Sequence, residues 1–375
     1  MADLIRRVLT RKSRIRDLIL ERDELAAHLA RLENEMSGMS KHLSRITQER
    51  DEQVDHLQRL AAETEKQSKD LQLITGERDV FADQLYRVIR EKYHLDPEEH
   101  PNFNYFLPGH YYSPIPSMEE IKRDEERIFS NPQTLPGVDL NVEGQIALLD
   151  RLQHFYASFP FKNQRTEGLR FYLENRVFGG VDAVFLFAML RHVRPGKVVE
   201  IGSGHSSCLM LDTNDLFLGG TTSFTFIDPN PEALRSLLTN GDEDRIQMIP
   251  TRVQEIKLDT FAALNAGDVL FVDSSHVSKV GSDVNYIFFE VLPSLKSGVY
   301  VHIHDVHYPF EYPREWVYAG RAWNEAYLLR AFLQYNDSFQ IVLFNALVSR
   351  LCEERLRQQF PVALDRTGGI WLQKR

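Results

Sequence analysis

The apolar residues of the first ninety positions fall on one alternating three- and four-residue spacing, and that periodicity restricts this part of the chain to a long helix. Ile15, Leu18, Leu25, Leu29, Leu32, Met36, Met39, Leu43, Ile46, Leu57, Leu60, Leu71, Ile74, Phe81, Leu85 and Val88 hold a single phase, and Leu4 and Val8 extend it upstream. This is the heptad seam of a left-handed coiled coil. No proline occurs before Pro97, so a continuous helix would run about 130 Å at about 1.5 Å per residue.

Within that span ERDELAAHL begins at Glu21, ERDEQVDHL at Glu49 and ERDVFADQL at Glu77. The repeat sets Arg22, Arg50 and Arg78 at equivalent seam positions. A charge there costs stability but penalises misaligned partners, because its head must reach water or a carboxylate such as Glu21, Glu49 or Glu77. The expected use is homo-oligomerisation through the coiled coil. The stretch from Leu4 to Arg16 carries six basic residues among apolar ones, which fits a weak contact with an anionic membrane surface or a solvated helix end.

Five prolines and many aromatics between His94 and Pro116 end the helix, and so many aromatics favour packing on a folded domain over a solvated tether. The expected organisation is a coiled coil over 1–92, a Pro/aromatic-rich linker over 93–137 and a catalytic domain over 138–375. A chain of 375 residues with 43% hydrophobic content can bury a full core there.

From Val138 onward short apolar runs alternate with helical stretches, the signature of an α/β domain with a parallel sheet covered by helices. Seven runs qualify as strands: KVVEIG from Lys197, TSFTFID from Thr222, RIQMIP from Arg245, DVLFVD from Asp268, GVYVHIHD from Gly298, FQIVLF from Phe339 and GGIWLQ from Gly368. Helices fit between them, as in PEALRSLL from Pro231 and VNYIFFEVLPSL from Val284.

Charge and cysteine content narrow the function. Basic and acidic residues balance up to Lys92, so the net charge of −10 lies wholly in the rest of the chain and argues against nucleic acid as its partner. The two cysteines, Cys208 and Cys352, have no zinc-site spacing. With no signal-peptide pattern and no long apolar span, a cytoplasmic protein is expected.

The chemistry gathers where strands end. The first strand runs into Glu200, Gly202, Ser203 and Gly204, a turn that lets a ligand approach the backbone closely. Ser207 stands where a dinucleotide fold needs its third glycine, and the acidic residue before the first glycine suits an amino-acid-bearing cofactor better than a pyrophosphate. Asp228 closes the second strand, where a carboxylate can accept ribose hydroxyls or cap the following helix. The fourth and fifth strands end in Asp273-Ser-Ser-His276 and His302-Ile-His304-Asp305-Val-His307. Adjacent strand ends would bring Asp273 and Asp305 together, where a divalent cation would offset their repulsion, with His304 as a third ligand and His276 free to take a substrate proton. Asp273 orienting only a cofactor, and histidines serving as core groups, are the alternatives; for His302, deeper in its strand, the core role is expected.

In that order, Glu-x-Gly-x-Gly, Asp228, Asp273-x-x-His276 and His304-Asp305 resemble the class I methyltransferases. Within them they look most like the O-methyltransferases of sugars and other hydroxylated metabolites, several of which use magnesium. The resemblance covers roughly Val138 to Arg375 and implies a Rossmann-like seven-stranded domain. It implies that Glu200, Gly202, Ser203 and Gly204 hold the methionine part of S-adenosylmethionine, and that Asp228, with Asp273, completes the cofactor site. Asp273 and Asp305 would then take Mg2+, with His304 the third ligand that the strand pattern adds, and His276 would act as general base on a small-molecule or glycan hydroxyl. His304 stands where metal-dependent relatives often have an acidic residue. The competing expectations are an oxidoreductase or hydroxylase on the same fold, and an interaction protein whose coiled coil is the working part.

Overall fold

The computed structural model describes residues 1–92, 108–359 and 367–375 and divides into two compact units, Met1–Tyr105 and Phe106–Arg375. In the first, helix α1 (Ala2–Lys92) is unbroken. The seam residues from Leu25 to Leu60 are exposed along it. Arg22 and Arg50 donate to Asp23 and Asp51 at 2.7 and 2.6 Å, the following rather than the preceding acidic residue. The seam beyond residue 69, with Glu77 and Arg78, and the side chains of Leu4 and Val8 lie outside the described residues. No helix among the described residues is long and apolar enough to cross a membrane.

The second unit is a three-layer sandwich around a seven-stranded sheet. Its strands are β1 (Lys197–Ile201), β2 (Ser223–Ile227), β3 (Ile246–Ile249), β4 (Val269–Val272), β5 (Tyr300–His304), β6 (Phe339–Phe344) and β7 (Gly369–Lys374), in the order β3-β2-β1-β4-β5-β7-β6. Strands β3, β2, β1, β4 and β5 are parallel. The expected seven-stranded Rossmann-like sheet is present, and its parallel part ends at one edge: β7 inserts between β5 and β6 and runs antiparallel to both. Runs such as GGIWLQ, buried on both faces, carry no information on direction, so this reversal was invisible to pattern reading.

Alternation sorts the strands between two cores. Val199, Ile201, Leu270, Val272, Val301 and Ile303 face one layer, while Val198, Phe226, Val269, Phe271 and Trp371 face the other. The second layer is built from α2 (Val142–Tyr156), α3 (Gly180–Val193) and α4 (His205–Thr213). Helix α3 is apolar all round from Val181 to Leu190 except for Asp182, as a helix sandwiched between sheet and neighbours must be. Helix 283–294 matches the expected VNYIFFEVLPSL. By contrast, PEALRSLL is helical only over Glu232–Arg235.

The described part of the linker divides in two. Tyr111 and Tyr112 are exposed, but Ile121 and Leu135 are buried, and Tyr308 Oη donates to Pro132 O at 2.6 Å. The Phe103 to Leu107 part of the aromatic run lies outside the described residues.

Candidate active site

The carboxyl ends of β1, β2 and β4 open onto a cleft of about 650 Å³ lined by Gly202, Ser203, Asp228, Arg252, Gln254 and Asp273 among others. Gly202 has φ +81°, and a Cβ there would lie 2.1 Å from the Asp273 carbonyl oxygen. Its glycine is therefore required by the close approach of β1 and β4 as well as by its turn. Ser203 donates from both N and Oγ to Asp228 Oδ2 (2.9 and 2.8 Å), and Asn230 N donates to Oδ1 (2.8 Å). A carboxylate has about four acceptor positions, so Asp228 is fixed in place with capacity left for a ligand hydroxyl.

Glu200 and Gly204 do not line this cleft. Glu200 is wholly buried, and Ser206 Oγ (2.6 Å) and Ser207 Oγ donate to its two oxygens. Burial pushes its pKa up to about 8. Expected as a ligand contact, it instead ties the end of β1 to the first turn of α4 and so shapes the Gly202 turn. The spacing pointed to a ligand; two neighbouring hydroxyls inside the fold took the carboxylate first.

Beside the cleft lies a charged group that two strand ends, the loop after β4 and one helix assemble. Asp273 follows β4, Asp305 follows β5, and His276 sits in the loop after β4. Ligand atoms of these three residues all fall within 4.8 Å of one another. His276 Nε2 is 3.4 Å from Asp273 Oδ1 and 3.6 Å from Asp305 Oδ2. Its Nδ1 is 2.8 Å from Oε2 of Glu325, which is 1% exposed and opens helix α6 (Glu325–Leu333). Burial lowers the pKa of His276, but Asp273 and Glu325 outweigh it and push it up to about 10. Burial raises Asp273, and His276 and His304 reverse this and hold it below the usual carboxylate range.

His276 and Asp305 have φ of +59° and +55°. A non-glycine residue in that left-handed region costs of order 1 kcal/mol or more and persists only where its surroundings dictate it. Here they do. Asn324 N and Glu325 N both donate to His276 O at 3.1 Å, and Asp305 N donates to Gly368 O at 2.6 Å. Gly368 N in turn donates to buried Asp182 Oδ2 (2.8 Å), whose other oxygen accepts from Asn345 Nδ2 (2.6 Å). Burial pushes Asp182 up to about 6.

The expected third ligand, His304, is not in this group. Its Nε2 lies 3.6 Å from Asp305 Oδ1, but the ring is buried against Phe178, and its Nδ1 has no hydrogen-bond partner among the described residues. Strand alternation places His304 on the helix-covered face with His302, as expected, and that face is core. His302 stacks between Phe271 and Trp371 at 4.4 and 4.7 Å, and burial holds its pKa well below normal. Reading the sequence missed Glu325 and Asp182. Each lies on a helix remote in sequence, and a glutamate opening an apolar helix looks like ordinary capping.

Residues 199–306 match the family model described as a methyltransferase domain. An uncharacterized protein of Archaeoglobus fulgidus is 34% identical over 165 residues, covering 42% of this chain and 73% of its own length. Among solved structures, the S-adenosylhomocysteine-bound methyltransferase PaMTH1 of Podospora anserina aligns with TM-score 0.37 and 13% identity, over 72% of this chain and 99% of that one. The O-methyltransferase TomG of Streptomyces achromogenes aligns with TM-score 0.35 and 12% identity, over 68% and 95%. The family match falls on the strand ends that build this cleft, so the chain carries a methyltransferase domain over residues 199–306.

Proposed function

We propose that the protein transfers a methyl group from S-adenosylmethionine to a hydroxyl oxygen of a sugar, glycan or other small metabolite. One observation carries this reading: the His276 imidazole, backed by Glu325, turns its Nε2 between Asp273 and Asp305 at the margin of the cleft. When bound, the cofactor supplies an electrophilic methyl group. Ser203 and Asp228 fit its ribose, Gly202 its methionine end, and Gln254 the polar edge of its base. A cleft of this volume lies in the range of a cofactor-sized ligand. His276 accepts the hydroxyl proton, and the walls of the site hold the oxygen in line with the methyl group, so that positioning and base catalysis act together.

Three carboxylates around one imidazole hold the proton on it, so a base at neutral pH needs positive charge beside Asp273 and Asp305. The cofactor's sulfonium is one source. A divalent cation held by Asp273 and Asp305 is another, and it would also lower the pKa of a hydroxyl bound to it. If His276 Nε2 joined Asp273 and Asp305 as a third donor it could no longer accept the proton, and the bound ion alone would activate the hydroxyl; that donor set suits manganese, iron or zinc better than the expected magnesium.

Calorimetry of the full chain with S-adenosylhomocysteine tests the cofactor assignment. Binding is expected, and Asp228→Ala should weaken it about tenfold or more, as loss of a charge-assisted hydrogen bond worth about 1.5–3 kcal/mol requires. No heat from wild-type protein overturns the reading. Calorimetric silence toward nicotinamide cofactors would separate it from the oxidoreductase alternative.

The exposed seam of α1 fits a second copy of the same helix, with Arg22 and Arg50 aligning the strands. Sedimentation of the full chain should give an oligomer at micromolar concentration, and Leu29→Glu with Leu43→Glu should give a monomer. A monomeric wild type removes the coiled coil from this picture.

A further inference from the structure

Against His276, and outside the lining of the cofactor cleft, stands an aromatic wall. The Trp323 ring lies 4.4 Å from the imidazole, centroid to centroid. Trp316 meets Trp323 edge-on at 5.4 Å and His307 at 5.1 Å. Both tryptophans are half-buried, and neither lines the cofactor cleft. They come from helix α5 (Arg314–Tyr318) and the loop that follows it, which Arg321 N closes by donating to Trp316 O at 3.0 Å.

Arg321 lies over this wall, its Cζ 4.2 Å from the Trp316 centroid and 5.0 Å from that of Trp323. Stacking on two indoles fixes the guanidinium without cancelling its charge. Among the described residues its guanidinium has no carboxylate or hydrogen-bond partner. Arg314, Arg245 and Arg252, by contrast, pair with Glu125, Asp215 and Glu255. Of the nearby acids, Glu311 accepts from Tyr327 Oη and Glu325 holds His276, while Glu315 of α5 makes no ion pair with Arg321 among the described residues. What remains is an exposed, oriented cation two ring contacts from the candidate base, about the reach of one sugar ring with a charged substituent.

We propose that Arg321, stacked on Trp316 and Trp323, binds an anionic group of the acceptor, a phosphate or a carboxylate carried by a hydroxylated molecule whose reacting oxygen reaches His276. A planar guanidinium fork matches either anion with paired hydrogen bonds. The half-buried indoles offer apolar edges to the ring between anion and hydroxyl. This assignment of the acceptor class rests on the methyltransferase reading above.

The wall reports on itself, because two of the chain's three tryptophans are Trp316 and Trp323, and Trp371 is wholly buried. The full chain, first shown by calorimetry to bind S-adenosylhomocysteine, is saturated with it in chelator-containing buffer. It is then titrated with glucose-6-phosphate, glucuronate and methyl glucoside while tryptophan emission is followed. At least one anionic probe is expected to bind about tenfold or more tighter than methyl glucoside, a difference of about 1.4 kcal/mol; Arg321→Ala should abolish that preference and Arg321→Lys retain part of it. The tighter of the two anionic probes identifies phosphate or carboxylate as the source. Equal affinities, a preference that survives Arg321→Ala, or no response to any probe in protein that binds S-adenosylhomocysteine overturns the proposal. Absence of S-adenosylhomocysteine binding, seen in the first step, fails the methyltransferase reading instead.

Discussion

His276→Ala is expected to lower kcat by about 10²–10⁴, the usual range for loss of a general acid–base group, while S-adenosylhomocysteine affinity stays within about twofold because His276 does not line the cofactor cleft. The substitution also strands the Glu325 carboxylate, 1% exposed, without its main partner. Removing one member of a buried charged pair costs about 3–5 kcal/mol, so the alanine protein should melt lower. His276→Gln separates the two effects. Its amide can still donate to Glu325, so stability should recover while turnover does not. The two proposed roles of Nε2 diverge under chelation. A base acting without an ion gives a wild-type rate indifferent to chelator. An ion held by Asp273, His276 and Asp305 gives a rate that chelation removes and manganese restores, together with loss of manganese binding in His276→Ala. Full activity in both His276 variants removes the residue from the mechanism.

Much of this fold was legible because its signals are local. Phe339–Phe344 and Lys197–Ile201 match runs read directly from apolar pattern and length, and Asp228, Asp273 and Asp305 were found because strands of a doubly wound sheet end on one edge. What was hidden depended on three-dimensional neighbours. Glu200 has the spacing of a ligand contact, yet Ser206 and Ser207 lie within reach and the fold closes over it. His276, not the expected His304, stands beside Asp273 and Asp305, for a reason the pattern could not carry. Alternation fixes the face of a strand residue, and His304 faces the core. The reach of His276 depends on a left-handed backbone turn held by Asn324 and Glu325, almost fifty residues away.

Glu325 should matter almost as much as the imidazole it holds. With Nδ1 bonded to Oε2 at 2.8 Å, the neutral ring keeps its proton on Nδ1 and leaves Nε2 as the acceptor facing Asp273 and Asp305. Glu325→Ala removes that bias and frees the ring, and a fall in kcat approaching the roughly 10⁴-fold of a wrong-tautomer variant of a catalytic triad is expected, with little change in KM. Glu325→Gln preserves shape, and its carbonyl can still accept from Nδ1, so it should recover part of the rate, which a purely structural role for the charge would not produce. Stability against pH supplies an independent readout. In metal-free protein the His276 pKa is raised to about 10 from an ordinary value of 6.5. The stabilisation from its protonated form is therefore fully present below about pH 6.5 and is lost as pH rises through about 10. Measured as the difference in Tm from His276→Gln, this loss should be present in wild type and smaller in Glu325→Gln, which removes one of the carboxylates that raise the pKa. If Glu325→Ala keeps wild-type kcat and the same pH dependence of Tm, Glu325 neither orients nor charges the imidazole, and His276 stands in the site without the support the geometry gives it.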